Sequence, residues 1–235
     1  MEAFQFIINQ LQQIYKLQAR ILSVEYSLSP EHVWPKASEE CIQAYRYLIH
    51  DLSVSPCRVI IAGDSAGGNL AATLLLRLKK ERQERKEELM NDMFKRAPLP
   101  LPGGAALFSP WIDLSGFSLV DNKKDIIGNH QLEMFASCYL PSSSVNNKDP
   151  LISPIYGNFD DIDCPLFIAY GSEELLRPSI EEWISNKLKR DNVTVIQGQE
   201  ATHIWLMSRL AAKTTKSFER DNRQFIQWLS TIYSC

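Results

Sequence analysis

The sequence predicts an α/β fold, a mostly parallel sheet with helices on both faces. Three observations carry that expectation. Strand-like and helix-like stretches alternate along the chain, the pattern of a parallel sheet connected by crossover helices. RVIIAG is β-branched and apolar throughout, as a strand buried on both faces should be. The chain has 235 residues, 45% hydrophobic and 23% charged, enough to bury a substantial core. Right-handed crossovers then fix how the layers stack. The whole of residues 1–235 reads as one domain.

Residues 4–16 place Phe4, Ile7, Ile8, Leu11 and Ile14 on one helical face. ILSVEY follows as a short buried strand, and SPEHVWP as a turn with two prolines. Residues 39–50 read as a second helix with Cys41, Tyr45 and Leu48 inward. RVIIAG is the second strand, and residues 68–80 form an alanine- and leucine-rich helix. Residues 79–96 are densely charged with mixed signs. They read as a solvated helix extension or loop, with a docking surface as the alternative. APLPLPGG breaks the helix before AALFSP, the third strand. Residues 121–140 look helical and amphipathic, and PSSSVNNKDP is a polar loop. PLFIAYG is the fourth strand, residues 178–190 a helix with Pro178 in its first turn, and VTVIQG the fifth strand. Residues 218–232 form a last helix with Phe225, Trp228 and Leu229 apolar.

Composition narrows the function classes. The net charge of −3 gives no global field that would draw in nucleic acid or an anionic membrane. No stretch is long and apolar enough to span a bilayer, and the opening residues lack the basic start of a signal peptide. Cys41, Cys57, Cys138, Cys164 and Cys235 show no metal-type or disulfide-framework spacing, which fits a reducing, intracellular setting. No His/Cys/Asp cluster has ligand spacing, so neither a metal nor an organic cofactor is expected.

The chemistry is concentrated at GDSAG, where Gly63 and Gly67 flank Ser65. Small residues two before and two after a serine let a strand turn sharply into a helix, which lifts the hydroxyl above the sheet edge. The serine then sits at the positive end of the following helix, and the backbone N–H of Ala66 points where an oxyanion would form. The pentapeptide alone is a weak signal and is equally written by a plain glycine-rich turn. Its context, VIIA before and NLAATLLLRL after, supplies the required strand and helix.

A serine alcohol needs a base and a group to orient that base. In this topology the chain order is serine, acid, histidine, which leaves His130 and His203 from the four histidines. His203 follows the last strand, in GQEATHIW. His130 lies in a polar stretch with no strand end to place it. The acid should follow PLFIAYG, where Glu173 and Glu174 stand side by side. Asp161 and Asp163 precede that strand and so lie at the wrong end. Trp111, Trp205 and Leu206 fit either an acyl pocket or the core.

The chain resembles the hormone-sensitive-lipase-like esterases of the α/β-hydrolase fold, the group that includes arylacetamide deacetylases. The resemblance rests on VEYSLSPEHVWPKASEECIQAYRYL, GDSAGGNLAA, LFSPWIDLS, DPLISPIYG and the GSEELL and THIW loops, in that order and over nearly the whole chain from Ile21 on. It implies Ser65 as nucleophile, His203 as general base and Glu174 rather than Glu173 as the orienting acid. It also implies a structural role for Asp64 and an architectural one for Glu31 and His32. Family members often carry an aspartate where this chain has Pro178. The larger departure is the H-G-G-G loop, whose glycine N–H groups supply most of the family's oxyanion hole. These residues contain no such run.

The resemblance therefore implies a fold lacking the early strands and the N-terminal cap, as in a truncated product starting at an internal methionine. The missing strand would lie between ILSVE and VIIA. Either those two then pair directly, or the folded state is marginal.

The expected function is a serine hydrolase of short-to-medium acyl esters or aryl amides, impaired by the missing loop, with a small-molecule ester or amide as its only implied partner. The alternatives are a non-catalytic ligand binder or inactive fragment, and an interaction protein using residues 79–96.

Overall fold

The computed structural model describes residues 2–89, 98–116, 122–141, 145–188 and 191–233. Four strands form one sheet: β1 Ile60–Asp64, β2 Gly104–Phe108, β3 Leu166–Gly171 and β4 Val193–Gly198. They lie in chain order, β1-β2-β3-β4, and every pairing is parallel. Six α-helices accompany them among the described residues: α1 Glu2–Tyr15, α2 Lys36–Arg46, α3 Ala66–Leu89, α4 Asn129–Tyr139, α5 Arg177–Lys187 and α6 Thr215–Ile232.

The period-two alternation of a strand splits the core into two layers. Ala105 and Leu107 of β2, with Leu166 and Ile168 of β3, pack against α3, α4 and α5 through Leu75, Leu132 and Trp183. Their neighbours Ala106, Phe108, Phe167 and Ala169 face α1 and α6 through Ile7, Leu11, Phe225 and Trp228. The crossovers β1–α3–β2 and β3–α5–β4 run the same way across the sheet, so a common hand puts α3 and α5 on one face. Aromatic rings dominate the other layer. Phe225 stands edge-on to Phe108 with centroids 5.1 Å apart, and tilts against Phe167 at 4.9 Å. Tyr45 of α2 belongs to a third cluster with Leu74 and Leu78 of α3.

Four of the five expected strands form where the apolar runs lie. ILSVEY does not: residues 21–28 carry no strand, and Ile21, Leu22, Val24 and Leu28 are exposed at 48%, 56%, 37% and 67%. Among the described residues β1 pairs with β2 alone, so the two segments do not close up on one another. An extended segment without a partner strand has no ladder to hold its N–H and C=O groups, and its apolar side chains stay in water. Contacts near its end hold it instead. The Ser27 hydroxyl donates to Glu40 at 2.9 Å, and the Trp34 N–H donates to the Tyr139 carbonyl at 2.8 Å.

Two helical expectations shift. On α1 the buried side chains are Ala3, Ile7 and Leu11, while Phe4 and Ile14 are exposed. The amphipathic stretch 121–140 becomes helical only at Asn129; residues 122–128 are loop, and 121 lies outside the described residues. The charged stretch enters α3 as far as Leu89, where Lys80 and Glu84 sit 3.8 Å apart in solvent. Its remainder, 90–96, lies outside the described residues, as do 142–144 of the polar loop and 189–190 after α5.

Candidate active site

The site is built from loops at the carboxyl ends of the strands, where parallel sheets present their functional groups. Ser65 is the first residue after β1 and Ala66 the first of α3, so the strand turns into the helix within a single residue. Ser65 has φ 52°, in the left-handed region that costs a non-glycine residue about 1–3 kcal/mol. The surroundings hold it there. Its N–H donates to the Phe108 carbonyl at 2.9 Å, and its carbonyl accepts from Trp111 at 3.0 Å and Asn69 at 3.1 Å. Asn69 is buried and spends both amide hydrogens on the Trp111 and Ile152 carbonyls, each at 2.8 Å.

The turn is as tight as its glycines suggest, but the pair that matters is different. A Cβ on Gly63 would run into the Gly67 carbonyl, and one on Gly68 would meet the Pro110 side chain at 2.8 Å. A Cβ on Gly67 would touch nothing within 4 Å. Strand and helix therefore pass closely at Gly63 and Gly68. Gly67 fills the motif without being needed for space.

His203 comes from the loop after β4. It is buried, at 3% exposure, and its Nε2 lies 2.9 Å from Ser65 Oγ. His130, the other candidate, is exposed in the first turn of α4. Of the adjacent glutamates after β3, Glu174 is buried at 4% exposure, while Glu173 bonds Lys124 Nζ at 3.2 Å and Asn122 Nδ2 at 3.4 Å. Glu174 Oε2 accepts from Ser109 Oγ at 2.6 Å and from the Gly171 N–H at 3.0 Å. Its Oε1 and the Nδ1 of His203 are both buried, and neither has a hydrogen-bond partner. A ring that accepts the serine proton at Nε2 carries its own proton on Nδ1, so these are a donor and an acceptor left open in the same cluster. Ala66 is exposed and begins α3, so its N–H has no acceptor within the helix.

Burial dominates the electrostatics. It pushes the Glu174 carboxyl up to about 8 against the pull of its Ser109 and Gly171 hydrogen bonds, with Asp125 adding to the rise. It pushes His203 down to about 4, partly offset by the Asp125 carboxylate. Burial thus favours the neutral form of both side chains.

Two contributors escaped the sequence reading. Ser109 follows β2 as Ser65 follows β1, and the register that pairs Asp64 with Phe108 sets them side by side. Its hydroxyl donates to Glu174 and accepts the Ile204 N–H at 3.0 Å, so it joins the acid loop to the histidine loop. Ser109 and Ile204 also have positive φ, 45° and 55°. For the β-branched Ile204 that is a marked departure. Asp125, in the loop before α4, accepts the backbone N–H of His203 at 2.9 Å and of Leu175 at 2.6 Å. The position of Ser109 just past a strand end was a usable signal. Nothing in the polar stretch singled out Asp125.

Trp111, Trp205 and Leu206 are core residues, exposed at 6%, 1% and 1%. Among the described residues no group of three or more His, Cys, Asp or Glu is arranged to hold a metal ion, and no helix is long and apolar enough to cross a membrane.

Residues 9–207 match a protein-family model described as alpha/beta hydrolase fold. An acetyl-hydrolase of Streptomyces hygroscopicus is 32% identical over 192 residues, covering 80% of this chain and 58% of its own. An esterase of Acinetobacter venetianus is 31% identical over 165 residues, covering 68% and 48%. Human hormone-sensitive lipase is 48% identical over 65 residues, 26% of this chain and 6% of the lipase. The crystal structure of a hormone-sensitive lipase from a metagenome library superposes with TM-score 0.71 at 27% identity, over 88% of this chain and 64% of that one. The chain thus spans about half the length of the curated relatives it matches over most of its own length.

Proposed function

We propose, from the premise that this chain belongs to the hormone-sensitive-lipase-like esterases of the α/β-hydrolase fold, that it is a serine carboxylic-ester hydrolase working through Ser65, His203 and Glu174. One observation carries the reading: Ser65, held at positive φ in the turn between β1 and α3, has its Oγ 2.9 Å from His203 Nε2. That is a nucleophile within reach of a base.

Ser65 Oγ adds to the ester carbonyl carbon while its proton passes to His203 Nε2. The tetrahedral oxyanion accepts the Ala66 N–H at the positive end of α3. The carbon–oxygen bond to the alcohol breaks, and the alcohol departs with the proton from His203. Water then loses a proton to the same nitrogen as it adds to the acyl carbon, and that proton passes to Ser65 Oγ as the acyl–oxygen bond breaks and the acid departs. Glu174 holds the imidazole by accepting Nδ1–H, and its negative charge favours the imidazolium of each transition state. Burial favours the neutral carboxyl, so Glu174 gives up its proton to solvent before its Oε1 accepts Nδ1–H; both atoms are buried and without a partner beforehand.

Substrates are short-to-medium acyl esters or aryl amides. Ala66 is the oxyanion donor that the serine turn supplies among the described residues, and residues 1–235 hold no H-G-G-G run. Losing one such donor typically costs about 10²–10³ in turnover.

The test is hydrolysis of p-nitrophenyl acetate together with covalent labelling by a fluorophosphonate. Labelled Ser65, and turnover abolished in Ser65→Ala, support the reading. Folded protein that neither labels nor hydrolyses supports a second one, a ligand binder of hydrolase fold. The unpartnered Glu174 Oε1 and His203 Nδ1 favour that second reading.

A further inference from the structure

Residues 122–125 form no part of the sheet, and they precede both catalytic loops in the chain. They nevertheless grip both. Asn122 Nδ2 donates to the Glu173 carbonyl at 2.7 Å, and Lys124 Nζ lies 3.2 Å from Glu173 Oε2. Asp125 Oδ2 accepts the Leu175 N–H at 2.6 Å, so the acid loop is held on both sides of Glu174. Asp125 Oδ1 accepts the His203 N–H at 2.9 Å and, within its own loop, the Ile126 N–H at 2.8 Å. One carboxylate thus binds the backbone of the acid loop with one oxygen and that of the histidine loop with the other. Elsewhere the two loops meet backbone to backbone: Glu173 N–H donates to the Ala201 carbonyl at 3.0 Å, and a Cβ on Gly171 would run into that same carbonyl.

From this geometry we infer that Asp125 is a positioning residue of the site, tying the loop of Glu174 to the loop of His203 through the two oxygens of one carboxylate. The inference rests on the proposed hydrolytic role of Ser65, Glu174 and His203. Asp125 touches no substrate; it acts through the histidine.

Two effects follow. Holding the His203 and Leu175 backbones fixes the distance between ring and acid, and a misplacement of about 1 Å in such a pair can cost about 100-fold in rate. The carboxylate also favours the imidazolium that forms when Ser65 gives up its proton. Among the described residues, the other charged or titratable groups of the two loops and their partners are Glu173, Glu174, Lys124, Arg177, Tyr170 and Glu181, with Glu200 paired to Lys213 on the histidine loop. Lys124 is paired with Glu173, and burial favours the protonated form of Glu174.

The experiment compares the full chain with Asp125→Asn and Asp125→Glu in three measurements. In Asp125→Asn, amide hydrogen exchange should quicken at Leu175 and His203 while that of β2 and β3 stays unchanged. Its kcat for p-nitrophenyl acetate should fall about 10–100-fold with KM within about twofold. Its acid limb of kcat/KM should move to lower pH, because the charge that favoured the imidazolium is gone. A purely structural loss of active protein would lower kcat without moving that limb. Asp125→Glu keeps the charge at a displaced point, so its kcat should fall while the limb stays. Should Asp125→Asn fail to fold, Asp125→Glu together with Asn122→Ala carries the kinetic and exchange arms.

Wild-type exchange, kcat and acid limb in Asp125→Asn would overturn the inference and leave the hydrolytic reading intact. Wild-type protein without Ser65-dependent turnover would overturn that reading instead. The exchange arm, with an NMR titration of the His203 ring, then decides on Asp125 alone: slower-exchanging amides and a higher ring pKa in wild type support it, and no difference overturns it.

Discussion

The loops above β2, β3 and β4 and the segment 21–28 contrast sharply. The loops are polar in sequence and come from three distant parts of the chain, yet Ser109, Glu174 and His203 are buried and hydrogen bonds tie the loops together. The segment is apolar and β-branched in sequence, yet it lies in solvent without a ladder. The difference shows where each kind of order resides. A strand is a property of a pair, and local propensity cannot supply the second member. A polar cluster needs only that several loops end at the same edge, which a parallel sheet guarantees.

The largest expected effect breaks the loop cluster at its nucleophile. Ser65→Ala should reduce ester hydrolysis to background, a loss of at least about 10³-fold, and remove fluorophosphonate labelling while circular dichroism stays unchanged. Retained turnover would mean that the cluster is a scaffold and the chemistry lies elsewhere. Glu174→Gln should follow with a loss of about 10²–10⁴-fold, because the amide cannot stabilise the imidazolium.

That second variant should also change the pH dependence of stability. Burial raises Glu174 from 4.5 to about 8, so its contribution is present below about pH 4.5 and lost as pH rises through 8. His203, lowered from 6.5 to about 4, contributes above about pH 6.5 and loses that contribution as pH falls through 4. Between pH 6.5 and 8 only the glutamate slope remains. The wild-type Tm should decline there, and in Glu174→Gln that decline should flatten. A parallel decline in both proteins would show that the carboxyl is not held neutral by burial.

Next in size is the turn beneath the serine. Gly63→Ala drives a Cβ into the Gly67 carbonyl and should cost about 2–4 kcal/mol in chemical denaturation. Gly67→Ala enters open space near the start of α3 and should be neutral, or stabilising by up to about 1 kcal/mol. Equal losses at the two positions would contradict the close approach described at Gly63.

The smallest expected effect concerns the exposed segment. Leu28→Ser should change stability by less than about 0.5 kcal/mol, against about 3–5 kcal/mol for Phe167→Ala in the aromatic layer. A loss above about 2 kcal/mol at Leu28 would mean that the segment is buried after all.

Most of the architecture was legible in the sequence because it is written in apolar runs. RVIIAG, AALFSP, PLFIAYG and VTVIQG each became a strand, and helices flank both faces. Ser65 and His203 could be named because a strand end places each of them. The glutamates at 173 and 174 were adjacent, and only the resemblance favoured one. Their burial differs because Glu174 turns toward Ser109 while Glu173 turns toward Lys124, a choice fixed by loop backbone that sequence does not display. Asp125 was hidden for another reason. Its stretch has helical periodicity, but the helix starts later, at Asn129, and the residues before it are spent on hydrogen bonds to other loops.

The consecutive order of the four strands bears on how the molecule is made. Each strand pairs with the one preceding it in the chain, so the sheet can grow outward from β1 by successive closures between neighbours, without waiting for distant ends to meet. The serine turn is complete once β1 and β2 have joined. Its hydrogen-bond partner His203 arrives only after β4 has been laid down. A chain emerging from the ribosome therefore carries the shaped serine turn before the segment that places His203 beside it has been made, so on the proposed hydrolytic reading the hydroxyl lacks its base until β4 and residue 203 have followed.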